Sequence, residues 1–516
     1  MSDQDYRGEG RRNDRRDDRR GGFSGDRQGG RGGRSGGFSG PRDGGERPDN
    51  WRPGRSQSDP ARLVVFDVLM QVEVNDAYAN LVLPKEIRRA HLGKQDAAFA
   101  TNLAYGTLRM QGRWDAILAH GTNGRPIAEL DPPVRVLLRM GAHQILAMST
   151  PEWAAINEMV KIARNEVGTG ASGFVNAALR RVSEKSLAEW QQVLKENAKG
   201  KTNSPKFLGQ WFSHPEWIVL ALDRSLKANG RTHRDLLSVL KSDNTPAKVA
   251  LVAREIEPHA LMEDARRGHM DADEGALVDS AVVIAGGDPH RVFAVQDGLA
   301  GVQDEGSQLI ARTFAAAPIE GKDELWLDMC AGPGGKTATL AAMAGLRGAR
   351  IHANEPHEHR LDLVADSVGP WSDIVDLRLG DGRTLGAEEA GKYDRILVDA
   401  PCTGIGALRR RPESRWRKQA GDALDLAKLQ GELLDSGWDA LREGGILMYS
   451  TCSPYLAETH DVVAAFRERH PEARVLDTPA IASTQAKTEL TGVDGMLQLW
   501  PDLNESDAMF MVILAK

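Results

Sequence analysis

Cysteine is scarce: Cys330, Cys402 and Cys452 are the only three in a chain of 516 residues. So few cannot form a disulfide framework, and their separations do not approach zinc-ligand spacing, so no metal is expected. Long hydrophobic runs are missing too. No stretch nears the ~20 apolar residues that span a membrane, and the N-terminus is Arg/Gly-rich where a secretory signal would be apolar. No membrane partner is expected, and the cytoplasm is the expected compartment. A positive excess is also lacking, since the formal net charge is −7. This excludes a uniformly basic nucleic-acid binder but leaves room for a local phosphate-binding patch.

What is present is length, more than one hydrophobic core usually serves, so several domains are expected. Residues 1 to 58 are a low-complexity tail in which Gly-Gly-Phe-Ser-Gly occurs twice, around Phe23 and Phe38. Too little apolar surface offsets chain entropy there, and the tail reads as disordered. Its near-balance of Arg and Asp fits RNA tracking and simple solubilisation equally. Residues 59–185 read as an all-helical domain. Val134, Leu137, Leu138, Gly141, Ile145 and Met148 recur at helical spacing, and Asp131-Pro132-Pro133 offers a cap residue and prolines at a helix start. With no acid, base and nucleophile set, this domain reads as a binding module. Residues 186–240 read as a helical linker, in which His214 before Pro215 is a capping or packing residue. Residues 241–312 read as a small α+β subdomain with strands over Val249–Ala253 and Ala281–Ile284.

Residues 313–516 alternate short apolar runs with helical segments. The runs Leu325–Met329, Ala349–Ala353, Ile396–Val398 and Ile446–Tyr449 predict a doubly wound α/β sheet, largely parallel and Rossmann-like. The first strand leads into Cys330-Ala331-Gly332-Pro333-Gly334-Gly335-Lys336, a turn whose glycines let the backbone approach a ligand closely. It is neither a Walker loop nor a GxGxxG fingerprint. Glu355 ends the next strand, about 20 positions on, where an acid suits a ribose diol. Asp381 follows a third strand and is placed to accept from an adenine amino group. Together these residues describe an adenosine-bearing cofactor; NAD and S-adenosylmethionine both satisfy them.

Two further strand ends carry sulfur: Asp399-Ala400-Pro401-Cys402-Thr403-Gly404 and Ser450-Thr451-Cys452-Ser453. Ligand chemistry on such sheets lies beyond the carboxyl ends of the strands. Thiols beside a methyl donor suit carbon 5 of cytosine, which is too weak a nucleophile to attack a methyl sulfonium unaided. A thiolate adding at carbon 6 loads electron density onto carbon 5 and splits one hard step into two easier ones. A second thiol can assist release, and Asp399 can bond to the protonated ring nitrogen as the adduct forms. The residues alone leave open which cysteine attacks.

These motifs, in this combination and order, resemble the NOL1/NOP2/Sun family of RNA cytosine-5 methyltransferases, and within it the bacterial Sun-type, RsmB-like group. The resemblance rests on Asp328 to Lys336, Asp394 to Gly404 and Thr451-Cys452-Ser453. Asp76 to Asn80, Asp96 to Leu103, Tyr105 to Arg109 and Gly173 to Arg180 resemble the NusB-like RNA-binding domain fused to that group. The resemblance implies a class I methyltransferase fold and ribosomal RNA of the small subunit as substrate. It implies that the Cys330–Lys336 loop, Glu355, Asp381 and Asp399 hold S-adenosylmethionine, that Cys452 is the nucleophile, and that Cys402 helps product release. DNA cytosine methyltransferases use the Pro-Cys cysteine, which here is Cys402. The chain departs from the group in reading Leu456-Ala457-Glu458-Thr459 where P-E-E-N is usual, and Glu505 to Phe510 near the C-terminus.

The basic run Leu408 to Arg411, followed by Arg415, Trp416, Arg417 and Lys418, reads as a phosphate track with base stacking. The target base must then be unpaired or flipped out. Two other functions remain compatible with the residues. One is methylation of another acceptor through Asp399 to Cys402, with Cys452 idle. The other is an RNA-binding or assembly factor with a vestigial cofactor fold.

Overall fold

From Pro60 to Ser242 the chain is built from helices and helical turns. The structure, a computed structural model, describes residues 58–516 apart from Asn123, and the tail expected over residues 1 to 58 lies almost wholly outside these. On helix Pro132–Ala147 the periodic residues Val134, Leu137, Leu138 and Gly141 are buried, with Ile145 and Met148 half-buried beyond them. The prolines occupy its first turn, but Asp131 at the cap position makes no side-chain capping bond. A methyl group added at Gly141 would lie 2.4 Å from Leu179 Cδ1, so the small residue lets helix Thr169–Ser183 pack closely. Helices Leu187–Asn197, Pro205–Phe212, Glu216–Ala228 and Leu236–Ser242 share the same apolar core through Trp190, Phe207, Leu222 and Leu240. His214 is buried there, its Nε2 3.3 Å from Asp243 and its Nδ1 2.7 Å from the Phe212 carbonyl. It is a packing residue.

A four-stranded antiparallel sheet follows: β1 (Val249–Ala253), β2 (Asp271–Glu274), β3 (Ala281–Ala285) and β4 (Ala300–Val302), in the order β2-β3-β1-β4. Helix Glu305–Ala316 leads from it into the larger sheet of β5 (Leu325–Asp328), β6 (Arg350–Glu355), β7 (Val375–Leu379), β8 (Tyr393–Asp399), β9 (Leu441–Thr451), β10 (Arg474–Val475), β11 (Leu497–Gln498) and β12 (Phe510–Ala515). Its order is β10-β12-β9-β8-β5-β6-β7, with β11 also paired to β12. The strands β5 to β9 run parallel, and β12 is antiparallel to β9. Leu309, Leu340 and Val364 cover one face; Leu433, Trp438 and Phe466 cover the other. Burial on both faces explains why Ile396–Val398 of β8 reads as an apolar run with no alternation. The chain winds from β5 toward β7 on one side and from β8 toward β9 on the other, so a crevice opens where the direction reverses. No helix of the described residues is long and apolar enough to cross a membrane.

Much of the basic run is committed to protein partners, although Arg411 and Trp416 are exposed. Arg415 is 0% exposed and donates to the carbonyls of Ser213 (2.7 Å) and Asp243 (3.3 Å) and to Asn244 Oδ1 (3.0 Å). Arg410 pairs with Asp304 and Asp507, and Arg417 donates to the Ala77 carbonyl at 2.6 Å. The segment therefore joins the helical region to the sheet, helped by Arg231, which binds Asp502 through two bonds of 2.9 and 2.7 Å. Charge and aromatic content alone cannot distinguish a phosphate track from a run of guanidiniums that satisfies buried carbonyls. Arg415→Ala would leave those acceptors without donors, and a loss of about 2–4 kcal/mol in stability by urea unfolding is expected. A variant as stable as the parent would mean that water replaces the guanidinium at no cost.

Candidate active site

The carboxyl end of β5 opens the crevice. Asp328 is buried there and accepts from Thr337 Oγ1 at 2.7 Å. Burial pushes its carboxyl up to about 6, against the opposing Thr337 bond. The turn continues through Gly334, whose φ of 103° suits glycine, into helix Gly335–Gly345. At Gly332 an added methyl group would fall 2.2 Å from Glu355 Oε2, and the Gly332 carbonyl accepts from Arg360 Nη2 at 2.7 Å. The loop and Glu355 thus share one cradle that a side chain at Gly332 would fill. Gly332→Ala is expected to weaken binding of the adenosine-bearing ligand at least ~10-fold by calorimetry, since 1.4 kcal/mol of displacement suffices. Unchanged affinity would show that the ligand does not use this cradle.

The three acids differ in their surroundings. Glu355 is almost completely buried and accepts from His357 N–H at 3.2 Å, beside His357 Nδ1 at 3.0 Å and the Arg360 guanidinium at 3.4 Å. Asp381 is half-exposed and bonds to Arg383, backbone (3.0 Å) and guanidinium (2.6 Å). The Arg383 side chain holds the Asp381 carboxyl below its usual range. Asp399, at the end of β8, accepts from Lys336 Nζ at 2.8 Å and Ser450 Oγ at 3.0 Å. Two residues expected separately from the sequence, the last of the Gly-rich loop and the acid before Ala400, are therefore an ion pair.

Beyond that pair lie the sulfurs. Cys402 Sγ and Cys452 Sγ are 3.3 Å apart although 50 residues separate them in the chain. Parallel pairing of β8 with β9 sets Asp399 opposite Ser450. The Ala400 N–H then donates to the Ser450 carbonyl, and the Gly406 N–H to the Cys452 carbonyl, both at 2.9 Å. A methyl group at Gly406 would lie 2.2 Å from the Ala508 carbonyl oxygen and 2.7 Å from that of Cys452, so only glycine closes this turn. The Cys402 thiol is pushed well up, first by its hydrogen bond with Cys452, then by burial and the charges of Cys452 and Glu458. Burial opposes the charge on Lys336, but the charge and hydrogen bond of Asp399, then the charges of Cys452 and Asp328, raise its pKa. Cys330, in the Gly-rich loop, is held as a thiol by burial and the carboxylates of Asp328, Asp399 and Glu355.

Residues 316–515 match the family described as 16S rRNA methyltransferase RsmB/F, and residues 59–184 match the NusB family. The chain is 41% identical over 469 residues to the Mycobacterium tuberculosis protein Rv1407, covering 90% of this chain and 98% of that one. It is 32% identical over 419 residues to ribosomal RNA small subunit methyltransferase B of Pseudomonas putida, covering 81% of this chain and 91% of that one. The chain belongs to the RsmB/F family of 16S rRNA methyltransferases. Its fold is that of the crystal structure of PH0851, with a TM-score of 0.71 and 19% identity over 90% of this chain and 100% of that one.

In this RsmB/F-family chain the tertiary structure gathers the Gly-rich loop, Glu355, Lys336, Asp399, Cys402 and Cys452 at one sheet edge, whereas the bonds of Asp381 go to Arg383. Sequence reasoning missed Glu458. It is the one position of the Leu456 to Thr459 stretch that keeps the usual P-E-E-N residue, and its buried carboxylate accepts from Thr403 and Ser453, the residues that follow the two cysteines. The signal was that Glu458 keeps the second acid of that P-E-E-N stretch while its three neighbours change. Gln430, which donates to the Pro401 carbonyl at 2.8 Å from helix Asp422–Ala440, left no trace in the sequence pattern.

Proposed function

We propose that this chain transfers a methyl group from S-adenosylmethionine to carbon 5 of a cytosine in small-subunit ribosomal RNA, through a covalent adduct between Cys452 and carbon 6. The observation that carries this reading is the pair of sulfurs 3.3 Å apart beside the Lys336–Asp399 ion pair. A methyltransferase acting on an exocyclic amine needs no covalent thiol, and a second one would serve nothing there.

The cradle formed by Cys330, Ala331, Gly332, Pro333, Gly334, Gly335 and Lys336 suits the methionine part of the donor, Glu355 its ribose, Asp381 its adenine, and Asp399 the side facing the acceptor. When bound, S-adenosylmethionine supplies an electrophilic methyl group. The chain does the rest. Cys452 adds to carbon 6 as a thiolate. Asp399 accepts from the ring nitrogen, which is protonated as the adduct forms. Cys402, held as a thiol by Cys452, burial and Glu458, assists the elimination that follows loss of the carbon 5 proton. Residues 59–185, as a NusB-like domain, bind the RNA, and residues 313–516 carry the chemistry.

The relative from Pseudomonas putida, a small subunit methyltransferase by name, supports the choice of RNA. Tritium release from ribosomal RNA labelled at cytosine carbon 5 tests the reaction: donor-dependent release is expected, and methyl incorporation without release would refute it. Bisulfite mapping of ribosomal RNA from a deletion strain then identifies the nucleotide.

A further inference from the structure

We propose that Glu458 is a positioning residue whose carboxylate ties the Cys402 loop to the Cys452 loop and so sets the distance between the two sulfurs. The proposal deepens the reaction proposed above and rests on it for its role in turnover. The two cysteines follow different strands, and backbone bonds join their loops at Ala400 to Ser450 and at Gly406 to the carbonyl of Cys452 itself. The residue after each cysteine turns its side chain inward, with Thr403 Oγ1 and Ser453 Oγ 3.4 Å apart. Glu458 Oε1 accepts from the Thr403 N–H at 2.6 Å, and Oε2 accepts from Thr403 Oγ1 at 2.5 Å and Ser453 Oγ at 2.6 Å.

Glu458, Thr403 and Ser453 are all buried. A buried carboxylate is costly unless its lone pairs are filled, and here neutral donors from both loops fill them. Its own backbone is anchored as well, because Tyr449 Oη on β9 donates to the Glu458 carbonyl at 2.7 Å. A segment needed only to fill space would be cheaper with an apolar residue. The carboxylate also has an electrostatic consequence. The titratable groups facing Cys402 are Cys452, Glu458 and Tyr449, while Lys336 is favoured by charge on Cys452. The carboxylate therefore opposes charge on Cys402.

Phenylarsine oxide tests the spacing without RNA or methyl donor, because it condenses with two adjacent thiols, forming two As–S bonds and releasing one water. The full-length protein is expected to bind one equivalent, removable by a dithiol, and Cys402→Ala or Cys452→Ala is expected to abolish that bidentate capture. Glu458→Ala is expected to weaken capture at least ~10-fold and to lower kcat about 10²-fold, as for an ångström-scale displacement of reacting groups, with KM for S-adenosylmethionine unchanged within about threefold. Glu458→Gln, which keeps the shape, is expected to fall between. Should Glu458→Ala not fold, Thr403→Val and Ser453→Ala each remove one donor and are expected to give partial losses in the same two readouts. Parental arsenical affinity in a folded Glu458 variant, or in both donor variants, overturns the proposal. Weakened capture in a protein whose parent releases no tritium would instead overturn the cytosine reading and leave the positioning role standing.

Discussion

Cys452→Ala is expected to abolish methyl transfer and any covalent RNA adduct, whereas Cys402→Ala is expected to accumulate that adduct. Under the proposed mechanism the first change removes the atom that bonds to carbon 6, and a fall of at least about 10⁴-fold is expected, as for other catalytic nucleophiles. The second leaves addition and methylation intact but removes a buried thiol from beside the sulfur that must leave. Its turnover is expected to fall about 10²–10⁴-fold, the usual range for lost acid–base assistance. A denaturing gel of protein with labelled RNA reads both outcomes: a shifted band for Cys402→Ala and none for Cys452→Ala. The reverse pattern would make Cys402 the nucleophile.

Asp399→Asn and Asp399→Ala are expected to lower kcat about 10²–10³-fold, the range for losing one preorganised group at a developing charge. Affinity for S-adenosylmethionine is expected to fall less than about tenfold, because the Gly332 cradle and Glu355 remain. Asp399 accepts from both Lys336 and Ser450, so its carboxylate is held rigidly before substrate arrives. Loss of the carboxylate also leaves Lys336, only 13% exposed, without its ion-pair partner. The asparagine variant separates shape from charge. If it keeps more than about a tenth of the parental kcat, the charge on Asp399 is not what stabilises the transition state.

Much of the architecture was legible because the elements are local. The helical period around Leu137 and Leu138 and the apolar runs of β5, β6, β8 and β9 each follow from the faces they bury. The Gly-rich turn after β5 was legible for the same reason: a sharp change from strand to helix needs glycine where φ is positive, as at Gly334. Where reasoning from local sequence failed, the missing information was the partner. Asp131 occupies a cap position without making the bond, and Arg415 in a basic run lies among carbonyls of residues 213 and 243, far away in sequence.

The sequence by itself determined the chemistry available to this protein: a Gly-rich strand-to-helix turn, acids after successive strands, and two cysteines at strand ends. Those properties depend on residue type and on spacing within single elements. Only the tertiary structure decided that Lys336 pairs with Asp399, that the sulfurs meet at 3.3 Å, and that Glu458 spans their loops. Each of these contacts joins segments that chain entropy would keep apart, brought together by parallel strand pairing and by burial on both faces of the sheet.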